Sequence, residues 1–511
     1  MEAVAEHPHL ALQAADRPDA LAAIFVGRNG RISSSLTFEE LHYRSGSLAA
    51  WFLKRGITYG DVVGVLAGNQ PEVLETAWAA GRSGLYVTAV NSHLRAEEVK
   101  HILRDSGAKA LITTKENLEL AIEATEDLIP ILVTGPKGTY EDAITSVRPV
   151  EVARVPALEG DFLLYSSGTT GVPKGIKRPL PRLPIGAAEN PLARMLTAFG
   201  FDRDSVYLCP APLYHAAPLA WSMATQRLGG CVVVLEAFDP TLALEVIDRF
   251  SVTHSQWVPT MFIRMLKLPE RIRRKFHGTS MKLAVHAAAP CPPDIKRAMI
   301  DWWGPLLLEF YSATEGIGMT VISSEEWLEH PGSVGRAVMG TPHIVAGDGR
   351  ELPAGEVGTV WFSGGSEFEY FGDSMKTAAA HDHAGRATVG DVGYLDPDGY
   401  LFLTGRADHM IICGGVNVYP QEVENILVLH PTVLDAAVVG EPDEDMGQVP
   451  IAFIQPVEGV DVDEAAVLKW LRERVASIKV PRRIVVLDAL PRTPAGKLRK
   501  HELPGQAGAH R

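Results

Sequence analysis

At 511 residues the chain is too long for one hydrophobic core and long enough for two or three domains. Hydrophobic residues make up 46% and charged residues 22%, the balance of a soluble globular protein, and no apolar run reaches the 18 residues that a membrane span needs. The formal net charge of −14 argues against a nucleic-acid partner, since an acidic surface repels a phosphate backbone, although a local positive patch would still accept ATP.

Residues 36–57 form the first clear amphipathic helix pattern. Thr37-Phe38-Glu39-Glu40 has the form of a capping box, and Leu41, Leu48 and Phe52 give an apolar face. Residues 62–66 read as a short apolar strand, 72–83 as a helix, and 87–90, 108–113 and 128–133 as further strands. Strands alternating with helices predict a largely parallel sheet covered on both faces. The alternation resumes with strands at 206–209, 231–235, 254–258, 283–286 and 306–311 and helices at 241–250 and 260–266. From 340 to 403 the turn signals Gly347-Asp348-Gly349 and Pro397-Asp398-Gly399 separate short strands, which predicts a small antiparallel β unit. Residues after Arg406 read as a separate α+β module, and the tail after Leu503 as disordered.

Cys209, Cys231, Cys291 and Cys413 lie far apart and form no C-x-x-C pair, which speaks against a disulfide framework or zinc site and fits a reducing cytoplasm. The N-terminal stretch lacks the basic and apolar regions of a secretory signal. Cytoplasmic localisation is therefore the expectation.

One stretch has a composition that points to chemistry: Tyr165-Ser166-Ser167-Gly168-Thr169-Thr170-Gly171-Val172-Pro173-Lys174-Gly175. Its glycines let backbone N–H groups approach a ligand closely, its hydroxyls donate, and Lys174 adds a positive charge. A polyphosphate is the natural candidate, and a flexible surface loop the plain alternative. The spacing is not that of a Walker A loop, because Lys174 is followed by Gly175.

Five more motifs follow in order: Glu309-Phe310-Tyr311-Ser312-Ala313-Thr314-Glu315-Gly316; Gly390-Asp391-Val392-Gly393-Tyr394; Gly405-Arg406-Ala407-Asp408; Gly414-Gly415 through Glu424; and Pro491-Arg492-Thr493-Pro494-Ala495-Gly496-Lys497. In these residues, spread over positions 165–497, the chain closely resembles the acyl-adenylate-forming superfamily, and within it the acyl-CoA synthetases (fatty-acid–CoA ligases). The resemblance implies an α/β fold. A large N-terminal domain of several subdomains (1–405) would bind ATP and acid on mainly parallel sheets covered by helices, plus the small β unit. A smaller mobile α+β C-terminal domain (406–511) would turn about a hinge at Asp408.

The resemblance also implies roles. Ser166, Ser167, Gly168, Thr169, Thr170, Gly171 and Lys174 would hold the ATP phosphates. Ala288, Ala289 and Pro290, with Glu309, Phe310, Tyr311 and Ser312, would frame the nucleotide, Tyr311 stacking on adenine. Thr314 would contact the α-phosphate and Glu315 would bind Mg²⁺, which accepts one or two carboxylates plus phosphate oxygens. Asp391 would take both ribose hydroxyls, and Arg406 would contact phosphate and ribose. His215, Trp257 and Ala287 would border the acyl pocket, although Trp257 fits a generic core equally well. Gly414 and Gly415 would line the pantetheine tunnel; their own pattern is that of a tight turn before a helix starting at Pro420. Lys497 would stabilise charge as pyrophosphate leaves. Ser312 stands where glycine is commoner, Val389 where threonine is, and His381 to Arg386 replace a Trp-rich stretch. A metal role for His381 and His383 competes there with a solvated turn.

The expected reaction converts a carboxylic acid, ATP and CoA to acyl-CoA, AMP and diphosphate through an acyl-adenylate, with Mg²⁺ as cofactor. A medium- or long-chain or bulky apolar acid is the first expectation. Aryl-acid or steroid/bile-acid CoA ligation, loading of a carrier protein, and nucleotide binding without catalysis are the alternatives. Expected partners are small molecules, not nucleic acid or an integral membrane segment, and a homodimer is an open possibility.

Overall fold

Helix Phe38–Lys54 begins at the capping box read from its sequence: the Glu40 amide donates to Thr37 Oγ1 at 3.1 Å, and the Thr37 amide donates to the Glu40 carboxylate at 2.8 Å. Phe38, Leu41, Leu48 and Phe52 on this helix are fully buried. The two cap bonds fix its start, a contribution of about 1 kcal/mol.

The computed structural model describes residues 6–166, 174–313, 315–366, 368–370, 374–492, 496 and 498–504. The chain divides into two units, Met1–Gln256 with Gly278–Lys282 and Phe368–Ser374, and Trp257–His277 with Leu283–Glu367 and Met375–Arg511.

In the first unit, a six-stranded sheet runs in the order Ile131–Val133, Ala108–Thr113, Val62–Leu66, Tyr86–Val90, Asp161–Ser166, Lys174–Lys177. All pairs are parallel except the last, an antiparallel pair with Ser166 opposite Lys174. Val62–Leu66 is buried along its whole length, as a parallel strand covered on both faces must be. Strands Val206–Cys209, Cys231–Leu235 and Leu21–Val26 also pair in parallel, and Ile32–Thr37 closes that edge antiparallel.

In the second unit, strand Leu283–His286 runs parallel to Leu307–Ser312. From there the sheet continues antiparallel through Met319–Ser323, Ser333–Met339, Leu401–Arg406, Asp391–Leu395, Gly358–Ser363 and Thr341–Val345. The expected small β unit is present, and it extends the sheet that carries Tyr311. A separate sheet, with strands Val416–Val418, Ile411–Cys413, Gly447–Pro456 and Val433–Asp443, packs with helix Pro420–Leu427 near the end of the chain. No helix among the described residues is long and apolar enough to cross a membrane.

Candidate active site

Several candidate side chains sit where strands of the second unit end, the position at which α/β sheets present groups to ligands. Strand Leu307–Ser312 delivers Tyr311, and strand Asp391–Leu395 begins with Asp391. The Tyr311 hydroxyl donates to the Asp391 carboxylate at 2.6 Å. Burial, reinforced by the Asp391 charge, pushes the Tyr311 phenol well above its ordinary range, so it stays protonated and donating.

Arg406 lies opposite Asp391 in the strand register. Its Nε is 3.7 Å from the Asp391 carboxylate and 3.6 Å from that of Asp408, and Nη2 donates to the Val389 carbonyl at 2.6 Å. Tyr311, Asp391, Arg406 and Asp408 therefore form one polar cluster, with the ring of Phe362 6.3 Å from that of Tyr311. Ser312 donates to the Gly318 carbonyl at 2.9 Å, so the hydroxyl that replaces the commoner glycine holds the turn containing Glu315. Glu315 is half-buried, and its charge reaches the Tyr311 phenol. One such carboxylate, completed by phosphate oxygens, is a donor set that suits Mg²⁺.

Glu309, on the same strand as Tyr311, belongs to a buried ion pair. Its carboxylate is buried and accepts from Lys296 Nζ at 2.6 Å, with His286 Nε2 3.6 Å away. Burial raises the Glu309 carboxyl and drives His286 well below its usual range, the Lys296 charge adding to the latter. Lys296 is fully buried on helix Pro293–Trp303, with its ammonium over the Trp327 ring. The pair ties that helix beneath the two strands leading to Tyr311 and Ala287. Sequence reading gave Lys296 no role, because nothing local marks a lysine for burial.

Beyond His286 the chain turns through Ala287 to Pro290, and Ala288 takes φ = 74°, a left-handed value costly for a residue with a Cβ. The Ala287 amide donates to the Trp257 carbonyl at 3.3 Å, which joins two of the expected acyl-pocket residues. The Trp257 indole itself is closed off, packed edge-on to Trp303 and against Phe262.

His215 begins helix Ala216–Arg227 in the first unit, its ring 4.7 Å from that of Tyr214. The loop before it is pinned by Asn69: the Asn69 amide group donates to the carbonyls of Ala211 (3.1 Å) and Leu235 (2.7 Å), and its side-chain oxygen accepts from the Leu213 amide (2.7 Å). Ser167, Gly168, Thr169, Thr170, Gly171, Thr314 and Lys497 lie outside the described residues, as do the side chains of Ser166 and Lys174.

Gly414 and Gly415, at φ = 54° and 80°, form the two-residue turn of a hairpin in which Cys413 pairs with Val416. A Cβ on Gly414 would come within 2.5 Å of the Met446 side chain. Helix Pro420–Leu427 follows with Pro420 in its first turn, as its sequence predicts. Gly496 lies against Val258 and Thr260, so close that a Cβ there would be 3.3 Å from each. Its carbonyl accepts from Arg492 Nη1 at 2.6 Å, while Arg492 also grips Asp435 through two bonds of 2.5 and 2.8 Å. His381 Nδ1 is 2.8 Å from the Thr377 carbonyl, and Arg386 closes on Asp382 at 2.6 Å, the geometry of a hydrogen-bonded turn.

The chain matches the profile of the AMP-binding enzyme family over residues 10–369 and that of the AMP-binding enzyme C-terminal domain over residues 422–497. It is 33% identical over 479 residues to a feruloyl-CoA synthase from Amycolatopsis sp, covering 93% of this chain and 94% of the relative. A long-chain-fatty-acid–CoA ligase from Mycobacterium tuberculosis is 31% identical, covering 93% of each. Among solved structures, o-succinylbenzoate–CoA synthetase from Bacillus subtilis in complex with ATP and magnesium superposes with a TM-score of 0.78 at 26% identity, over 98% of this chain and all of that one. The motif order, the shared fold and these matches over nearly the whole length lead to one conclusion: the chain belongs to the AMP-binding enzyme family and is a ligase of the acyl-adenylate-forming superfamily.

Proposed function

We propose that this protein is an AMP-forming acyl-CoA synthetase acting on a medium- or long-chain or otherwise bulky apolar carboxylic acid. The observation that carries the reading is the cluster of Tyr311, Asp391 and Arg406, an aromatic face beside a carboxylate and a guanidinium. That set suits a nucleoside: a ring to stack on, acceptors for two ribose hydroxyls and a cation for phosphate.

In the first half-reaction an acid carboxylate oxygen attacks the α-phosphorus of ATP. The new O–P bond forms as the bond to pyrophosphate breaks, giving an acyl-adenylate. In the second, the CoA sulfur attacks the acyl carbon, the bond to AMP breaks and the thiol proton is lost. Forming the mixed anhydride first turns a poor electrophile into a reactive one. The residues of the Ser166–Lys174 loop hold phosphates, and Thr314 contacts the α-phosphate. Lys497 steadies the charge that develops as pyrophosphate departs. Mg²⁺, held by Glu315, supplies neutralisation of phosphate charge when bound. His215, Ala287 and the chain around Trp257 border the acid. Residues 406–511 form a C-terminal domain that swings about Asp408 between the half-reactions and brings Gly414 and Gly415 to the thiol arm; the separate family match over 422–497 supports such a module.

An aryl acid is the second reading, favoured by the likeness to a feruloyl-CoA synthase. Acid-dependent pyrophosphate release across fatty, branched and aryl carboxylates, with CoA consumption read in parallel, decides between them. No release with any acid would overturn the proposal, and release without CoA consumption would move the acceptor to a carrier protein.

A further inference from the structure

Helix Pro259–Leu266 is gripped at both ends by the last hundred residues of the chain. At its start, Val258 and Thr260 meet Gly496. Just past its end, Lys267, the C-cap residue, turns its ammonium onto the carbonyls of His430 (3.3 Å) and Val433. Those carbonyls lie just past the C-terminal end of helix Pro420–Leu427, where the helix dipole favours a cation. Strand Val433–Asp443 begins at the residue Lys267 holds. Two residues on, Asp435 binds Arg492, and Arg492 binds the Gly496 carbonyl. The contacts close a ring: Lys267 to Val433, along the strand to Asp435, through Arg492 to Gly496, across to Thr260, and back along the helix.

We propose that Lys267 is a positioning residue for the adenylation half-reaction, a latch that seats strand Val433–Asp443 so that the Arg492-anchored Gly496 meets Val258 and Thr260. The inference rests on the function proposed above, in which the residue after Gly496 acts in that half-reaction and the segment carrying Val433 moves away before the second. Lys267 is set in the part that stays and its acceptors in the part that leaves, so its bonds count in one orientation only. A contact made in one of two states shifts their balance by its full strength. The lysine is half-buried, and burial lowers it to about 8 with the Asp435 charge opposing that shift, so its ammonium depends on the carbonyls of His430 and Val433 for acceptors that water would otherwise supply.

The test compares Lys267→Met, which keeps the stem and removes the donors, with Lys267→Arg, which keeps a cationic donor. Two rates are read: pyrophosphate release from acid plus ATP, and thioester formation from supplied acyl-adenylate plus CoA. Lys267→Met is expected to slow the first about tenfold while leaving the second unchanged or faster, and Lys267→Arg to recover most of the loss. Equal loss in both steps, no loss in the first, or an arginine variant no better than methionine would overturn the latch. Amide hydrogen exchange in segments 428–436 and 258–266 reads it independently of activity. Faster exchange in both segments of Lys267→Met supports the latch, and unchanged protection overturns it. A wild-type protein that releases no pyrophosphate with any acid would instead overturn the function proposed above, and exchange alone would then decide for or against the latch.

Discussion

The Tyr311 hydroxyl donates to the Asp391 carboxylate across 2.6 Å, so the residue proposed to stack on adenine also orients the residue proposed to hold ribose. The bond leaves Asp391 fixed before any nucleotide arrives, which lowers the ordering cost of binding. Tyr311→Phe keeps the ring and removes the donor. A hydrogen bond to a charged acceptor contributes roughly 1.5–3 kcal/mol. The expected result is an ATP KM raised about tenfold or more with kcat little changed, read from steady-state pyrophosphate release. A fall in kcat at unchanged KM would contradict a purely positioning role for the bond.

The Lys296–Glu309 pair has a different signature, because both partners are buried and neither faces solvent. Removing one partner leaves an uncompensated buried charge, at a cost of about 3–5 kcal/mol. Lys296→Met and Glu309→Gln should each lower the urea midpoint strongly. The double variant, with neither charge left, should be less destabilised than the sum of the two. Strict additivity in that double-mutant cycle would mean the two side chains do not act as a pair.

The contrast between these pairs marks what the sequence could disclose. Local signals were readable because local chemistry causes them: the Thr37 capping box, the strand at residues 108–113, the Gly414-Gly415 turn and Pro420 at a helix start. The parallel pairing of strand Leu21–Val26 with Cys231–Leu235 was not, since the two lie far apart along the chain and no short-range pattern specifies it. Lys296, Asn69 and Arg492 likewise owe their roles to tertiary neighbours. Gly393, beside Asp391, is a further case: an added Cβ would come 2.2 Å from the Phe402 carbonyl on the adjacent strand, so packing between the strands requires a glycine there. Gly390, at φ = 84°, does have the backbone that a glycine there permits.

Two histidines held partly or wholly away from water give the protein a defined acid sensitivity. Burial holds His254 at about 4, with Lys282 adding a smaller push, and burial with Arg82 holds His42 at about 4. An unfolded histidine titrates near 6.5, so between about pH 4 and 6.5 the unfolded chain binds more protons than the folded one. The stability these sites contribute is therefore complete above the unfolded value and is lost as pH falls from about 6.5 towards 4. Glu72, raised to about 7 by burial, titrates in the opposite sense over the same range, so the useful comparison is between wild type and variant. His254→Phe, which retains an aromatic ring against Phe201, is expected to show a smaller drop in urea midpoint between pH 7.5 and pH 5 than wild type. An identical drop would mean that His254 is not held neutral in the fold.

The division of labour between Lys497 and Asp408 can be read from the two half-reactions separately. If Lys497 acts on the departing pyrophosphate, Lys497→Ala should slow acid-dependent pyrophosphate release by about a hundredfold or more, the loss seen when one preorganised electrostatic donor is removed. The same variant should still convert supplied acyl-adenylate and CoA to thioester at close to the wild-type rate, because no pyrophosphate leaves in that step. Asp408 makes the converse case. It sits in the short helical turn Ala407–His409, its carboxylate 3.6 Å from the Arg406 Nε, just after a strand that ends at Arg406. A chain that rotates there must change φ and ψ over one or two residues, and proline forbids much of that change. Asp408→Pro is therefore expected to adenylate nearly as wild type and to make thioester slowly, whereas Asp408→Ala, which loses the contact to Arg406 but keeps the torsional freedom, should do both. Equal loss of both steps in Lys497→Ala would refute the role given to that lysine, and unimpaired overall turnover in Asp408→Pro would refute the hinge.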